Sequence, residues 1–310
     1  MAIRQLPADS PIEDILLVLE EDGGLILKDF VSVGVLQTIA AELKPFEQPD
    51  QVWKGNFFPE ATKRICGTVG KSKTLASKLL LHPVYREICL RTLTMTKKSR
   101  YGETLREFTC YPVANASTTF DIGPGADAQQ LHRDDGVHHL SHPNKQPHMI
   151  GLLVAETRTT SENGATVVIP GSHKLVSILE PKKRISSNSS KGDSDDRHPK
   201  PEEAIPACLE PGDALLFDGA VFHGGGANVT KSERRKVHGV FMIRGNLRPE
   251  ENTYLSFPPE IAKEYPDEVL EAYGYEIQSL YLQLSVSRSR RNSIASAQFA
   301  HIERRPAADY

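Results

Sequence analysis

From Ile12 to Glu21 apolar and acidic positions alternate at helical spacing, and Asp22-Gly23-Gly24 stops the run. "GLILKDF" follows as a short strand and "VGVLQTIAAELKPF" as an amphipathic helix. "SKTLASKLLLHPVYREICLRTL" predicts one or two more helices, broken at His82-Pro83. From Leu105 the texture changes to short β-rich runs punctuated by Gly, Pro and Asn: "REFTCYPVA", "HMIGLLVAETR", "GATVVIPG", "DALLFDGAVFHGGG" and "RKVHGVFMI". Such runs fit an antiparallel sandwich or barrel. Helices first and strands later predict an α+β fold, a β core with helices packed on one outer face.

Two stretches fall outside that pattern. The polar, Ser/Lys/Asp-rich run from about 182 to 204 reads as a long exposed loop between strands. The basic, Ser-rich stretch 287–310 reads as a disordered tail on a single domain spanning 1–286. The 310 residues carry a net charge of −3, so no global basic field invites nucleic acid or anionic lipid. No apolar run is long enough for a bilayer, and Glu13, Asp14, Glu20 and Glu21 interrupt the segment a secretory signal would need. Four scattered cysteines, none in Cys-x-x-Cys spacing, read as reduced thiols. A soluble, cytoplasmic protein is the expectation.

The chemistry concentrates in "QQLHRDDGVHH", residues 129–139. In a strand, residues two apart share a face, so His132 and Asp134 can point into one cavity. An imidazole beside a carboxylate suits ferrous iron in the two-histidine, one-carboxylate facial arrangement, provided a second histidine arrives from elsewhere. "DGAVFHGGG" offers His223, with Gly224, Gly225 and Gly226 allowing a tight turn and room beside a metal. The competing picture is a surface turn in which Asp134 or Asp135 caps local amides. In "KSERRKVHGVFMIR" the odd positions Val237, Gly239, Phe241 and Ile243 form a face suited to packing, and the even positions a mixed face suited to a polar cavity. That parity turns Arg234 toward the metal and Arg235 away, where a guanidinium would clamp a dicarboxylate bidentately.

His-x-Asp, a distal His and an Arg beyond it resemble the iron(II)/2-oxoglutarate dioxygenases, and more narrowly the phytanoyl-CoA dioxygenase family in its fungal secondary-metabolite branch. "EEDGGLILKDFVS", "TKRICGTVGKSKTLASKLLLHPVYREIC", "AQQLHRDDG", "ENGATVVIPGSHK", "LEPGDALLFDGAVFHGGGANVT" and "RGNLRPEENTYLSFPPEI" follow in family order over most of residues 12–275. The resemblance implies a double-stranded β-helix (jelly-roll, cupin-like) core and an enzyme with Fe(II), 2-oxoglutarate and O2 as cofactor and cosubstrates. It implies His132, Asp134 and His223 as iron ligands, and Arg234, Gln129 and Thr166 as contacts to 2-oxoglutarate. Strict alternation would instead turn Gln130 to the side of His132. The implied reaction decarboxylates 2-oxoglutarate to succinate while oxidising an unactivated C–H bond of a small hydrophobic metabolite, a terpenoid, meroterpenoid or alkaloid. An intact Asp134 argues against halogenation, which needs a small residue there. Trp53, Phe57 and Phe58, and the loop bearing His138, His139, His142 and His148, are the expected substrate-shaping or solvent-facing residues. Two alternatives compete: a non-catalytic β-helix binding protein, and an iron enzyme that does not use 2-oxoglutarate. The family likeness also raises a homodimer, on which the residues themselves are silent.

Overall fold

Gly23 ends the first helix, Ile12–Asp22, in the left-handed conformation (φ 74°), and its N–H bonds back to the Leu19 carbonyl. That cap reverses the chain directly into a strand, as Asp-Gly-Gly predicts. The computed structural model describes residues 2–49, 61–175 and 199–275. Most of the polar loop, the whole tail, and Trp53, Phe57 and Phe58 lie outside the described residues.

Among the described residues twelve strands follow in order. The first five are β1 (Gln5–Pro7), β2 (Gly24–Lys28), β3 (Thr62–Cys66), β4 (Met95–Tyr101) and β5 (Thr104–Cys110). Then come β6 (Val113–Ile122), β7 (Met149–Ala155), β8 (Thr166–Val168) and β9 (Ile205–Pro206). The last are β10 (Ala214–Asp218), β11 (His223–Gly225) and β12 (Arg235–Ile243). A seven-stranded sheet has the order β1-β2-β10-β7-β12-β6-β3, a three-stranded sheet the order β11-β8-β9, and β4 and β5 form a separate hairpin. All pairings are antiparallel except β1 with β2. "TKRIC", which precedes the predicted helices, forms the edge strand β3.

Side-chain alternation builds two layers of core. Ile150, Leu152 and Val154 of β7, Leu216 of β10, and Val240 and Met242 of β12 pack against Ile15, Leu19, Ile39, Leu79 and Ile88 of the helical layer. The opposite residues, Leu153, Leu215 and Phe217, pack across to Val168, Ala207 and Leu209 on or beside the small sheet. The helix Pro83–Leu93 is tied to the large sheet by Tyr85, whose hydroxyl lies 2.9 Å from the Ile150 carbonyl and 3.0 Å from that of Val240. All seven residues of β7 are buried, which explains why "MIGLLVA" reads as a continuous apolar run instead of an alternating one. The result is the two-sheet double-stranded β-helix with helices on one face. The four cysteines are free thiols. No helix among the described residues is long and apolar enough to cross a membrane.

Candidate metal centre

The space between the two sheets opens at the end of β11. His132 lies outside the named strands, but its backbone is paired both ways with His223: His132 N to His223 O is 2.9 Å, and His223 N to His132 O is 3.0 Å. The two imidazoles therefore lie side by side, with ring centroids 4.6 Å apart. His132 Nδ1 donates to the Gln130 carbonyl at 2.8 Å and His223 Nδ1 to the Val221 carbonyl at 3.0 Å. A carbonyl can only accept, so each Nδ1 carries the proton and each Nε2 keeps its lone pair for a metal.

Asp134 faces both. Its Oδ1 is 3.4 Å from His132 Nε2 and its Oδ2 is 3.4 Å from His223 Nε2. Burial alone would raise the Asp134 carboxyl, but the facing His223 and His132 outweigh it and hold it well below the usual carboxylate range. Burial would likewise lower His223, and the Asp134 charge turns that shift upward. Among the described residues this is the one group of three His, Cys, Asp or Glu side chains whose ligand atoms all lie within 4.8 Å of one another. Asp134 does not continue a strand, as expected from His-x-Asp; it opens a short 3-10 turn, Asp134–His138. It reaches the cavity because the chain bends there.

Behind the triad is a cavity of about 100 Å³, lined by Gln129, His132, Asp134, Thr166, His223 and Arg235 with Phe120, Leu153, Phe217, Val237 and Phe241. The strand parity assigned from the sequence is therefore reversed. Arg235, with Val237 and Phe241, faces the cavity, whereas Arg234 Nε pairs with Asp121 Oδ1 at 2.7 Å, outside it. The physical reason is that β12 is buried on both sides. The face that looks like plain packing lines the space between the sheets. On the mixed face Val240 and Met242 sit under the helices, and Lys236 and His238 meet Glu156.

Arg235 is 4% exposed. Its Nη1 donates to Thr166 Oγ1 at 3.3 Å, and its Nε has no partner. Among the described residues no carboxylate pairs with it, and burial pushes the guanidinium down to about 10. A buried, uncompensated cation is costly, so the cavity is built for an anion. Thr166 of β8 and Gln129 both lie on the cavity wall. Gln129 does so because residues 126–131 are not in a strand, so alternation does not govern them; its Oε1 accepts from Gly225 N at 2.8 Å. The donors present fit a divalent iron at the triad and a dicarboxylate reaching from it to Arg235.

The glycines after His223 serve closeness more than turning. A Cβ on Gly226 would sit 2.7 Å from the Ala165 carbonyl oxygen, and one on Gly225 3.0 Å from Gln129 Oε1. Of the neighbouring histidines, His139 is exposed as expected and His142 differs. His142 is not a solvent or substrate contact: it is 6% exposed, and its Nε2 donates to the fully buried Asp135 at 2.9 Å.

Residues 19–236 match the model of the phytanoyl-CoA dioxygenase family. The dioxygenase swnH1 of Arthroderma benhamiae is 37% identical over 292 residues, covering 91% of this chain and 88% of that protein. The dioxygenase peniF of Penicillium patulum is 35% identical, covering 86% and 83%. Among solved structures, the non-heme α-ketoglutarate-dependent carbocyclase SnoK from nogalamycin biosynthesis superposes with a TM-score of 0.54 at 18% identity, over 81% of this chain and 92% of that one. That likeness shows a shared fold. Together with the His-Asp-His centre, the match over most of its length means that the chain belongs to the phytanoyl-CoA dioxygenase family.

Proposed function

We propose that His132, Asp134 and His223 hold the iron, that Arg235, Thr166 and Gln129 hold 2-oxoglutarate, and that the substrate is a small hydrophobic metabolite of the terpenoid, meroterpenoid or alkaloid type. The observation that carries the cosubstrate assignment is the buried guanidinium of Arg235, which has no carboxylate partner among the described residues and lies in the same cavity as the triad. Arg235 takes the place in this scheme that the sequence pattern assigned to Arg234, whose charge is spent on Asp121.

Iron supplies the activation of O2 and of the C–H bond when bound. The chain's own residues do the positioning. His132 and His223 present their Nε2 lone pairs because the Gln130 and Val221 carbonyls hold their Nδ1 protons. Asp134 contributes the anionic ligand and, being a carboxylate, leaves no space for halide. Arg235 and the Thr166 hydroxyl would donate to the distal carboxylate of 2-oxoglutarate. Phe120, Leu153, Phe217 and Phe241 exclude water around that chain of atoms. The overall reaction balances as substrate C–H plus 2-oxoglutarate plus O2 giving the hydroxylated product, succinate and CO2. Support for the substrate class comes from the resemblance to the fungal branch.

The test is succinate release from 2-oxoglutarate under air, with and without ferrous iron, against a panel of terpenoid, meroterpenoid and alkaloid scaffolds. Iron-dependent succinate release that rises with one scaffold class is expected and is lost in His223→Ala. Iron-dependent turnover stimulated only by polar, charged substrates would overturn the substrate class, and turnover in His223→Ala would overturn the ligand assignment.

A further inference from the structure

The two histidines of the centre are fixed by a reciprocal pair of backbone hydrogen bonds, but Asp134 is not. The contacts of its carboxylate are the two histidines themselves, each at 3.4 Å. Among the described residues no hydrogen bond from outside the triad orients it, so its direction is set by the backbone of the turn it opens. The neighbours on either side hold that backbone. Arg133 is anchored by Nη2, which donates to the Ser172 carbonyl at 3.0 Å and the Leu175 carbonyl at 2.9 Å, and its guanidinium lies 4.3 Å from the Phe222 ring centroid. Asp135 is anchored more deeply. Its N–H donates to the Gly219 carbonyl at 3.1 Å. Its side chain is 0% exposed, with Oδ1 accepting from His142 Nε2 at 2.9 Å and Oδ2 from Asn144 Nδ2 at 3.1 Å. His148 Nδ1 lies 3.9 Å from the same Oδ2.

A buried carboxylate persists only where donors compensate it. Here the donors come from the loop after the turn, which folds back to supply them. Removing them would free the turn to relax toward solvent, and Asp134 would rotate with it.

We infer that Asp135, clamped by His142 and Asn144, is a positioning residue that aims the neighbouring Asp134 between His132 and His223. The inference rests on the assignment of those three residues as the metal ligands. It gives the buried His142 of the histidine-rich loop a role in setting the metal centre.

The experiment titrates the metal-free full-length protein with Co(II) without O2, following the visible absorption, and records the thermal midpoint of each metal-free variant. Asp135→Ala and His142→Leu are expected to weaken Co(II) binding roughly 10- to 100-fold, the usual effect of losing a group that orients a ligand, and to change the absorption envelope. His142→Gln, whose amide can still donate to Asp135, is expected to restore most of the affinity and the wild-type spectrum. Wild-type affinity and spectrum in both Asp135→Ala and His142→Leu, whatever happens to the thermal midpoint, would overturn the positioning role. Should Asp135→Ala fail to fold, the His142→Leu and His142→Gln pair decides the matter alone. Asp134→Ala separates the two levels. If it loses Co(II) while the Asp135 and His142 variants keep it, only the positioning role falls; if it binds Co(II) as wild type does, the ligand assignment falls and the inference with it.

Discussion

Replacing Arg235 with Met should make the metal-free, cosubstrate-free protein more stable and at the same time deaf to 2-oxoglutarate. In the structure the guanidinium is 4% exposed, has one hydrogen bond to Thr166 and no carboxylate partner among the described residues. Burial lowers it from the ordinary arginine range to about 10, which corresponds to a cost on the order of 3 kcal/mol for keeping the charge there. Methionine retains most of the apolar stem and removes that cost, so the midpoint of the empty variant should rise by several degrees, at roughly 2–4 °C per kcal/mol for a domain of this size. On the proposed assignment, 2-oxoglutarate compensates the charge in the wild type. At a hundredfold excess over its Kd it should add about 2.7 kcal/mol. In Arg235→Met the loss of one buried, charge-assisted contact should weaken cosubstrate binding by about 2–5 kcal/mol, a factor of roughly 30 to several thousand. Thermal unfolding with Mn(II) and a 2-oxoglutarate series, in wild type, Arg235→Met and Arg234→Met, reads both effects. Arg234→Met should shift with 2-oxoglutarate as wild type does, because its charge serves Asp121. A 2-oxoglutarate shift that survives in Arg235→Met and vanishes in Arg234→Met would refute the cavity assignment; a fall of several degrees in the empty Arg235→Met protein would refute the claim that the charge is uncompensated.

Two further outcomes follow from the same region. Gly226→Ala places a methyl 2.7 Å from the Ala165 carbonyl oxygen and 3.2 Å from the Gly164 carbonyl carbon, so denaturant unfolding should show a loss of about 1–3 kcal/mol; an unchanged midpoint would mean that these two backbones separate freely. Asp218 is 5% exposed, and burial pushes its carboxyl up to about 7 from the ordinary 3.8. The folded state thus holds this proton longer than the unfolded state, and the stability it contributes is full below the ordinary value and lost as pH climbs to about 7. Asp218→Asn keeps the acceptor for Ala220 N but cannot ionise, so its advantage over wild type should grow between about pH 4 and 7 and then level off. A difference that does not vary with pH would assign the effect to packing.

The sequence by itself determined the class of fold and singled out the three side chains, His132, Asp134 and His223, that the fold brings together. Periodicity separates the helical front from the β-rich remainder, because a helix and a strand impose different repeats on the apolar residues. The three side chains were legible because the motifs carrying them are distinctive and two histidines with one carboxylate are the residue types a ferrous site would need. Tertiary structure alone decided which arginine faces the cavity. Alternation along "RRKVHGVFMI" defines two faces but does not say which is inside when both are buried, one under helices and the other against the second sheet. It also decided how Asp134 arrives. His132 and His223 are paired through the backbone across about ninety residues of chain, while Asp134 is delivered by a bend whose anchor is the buried side chain of Asp135. Residues so far apart in sequence leave no periodic trace of their contact, and a carboxylate held by a distant loop looks in the sequence like any charged turn.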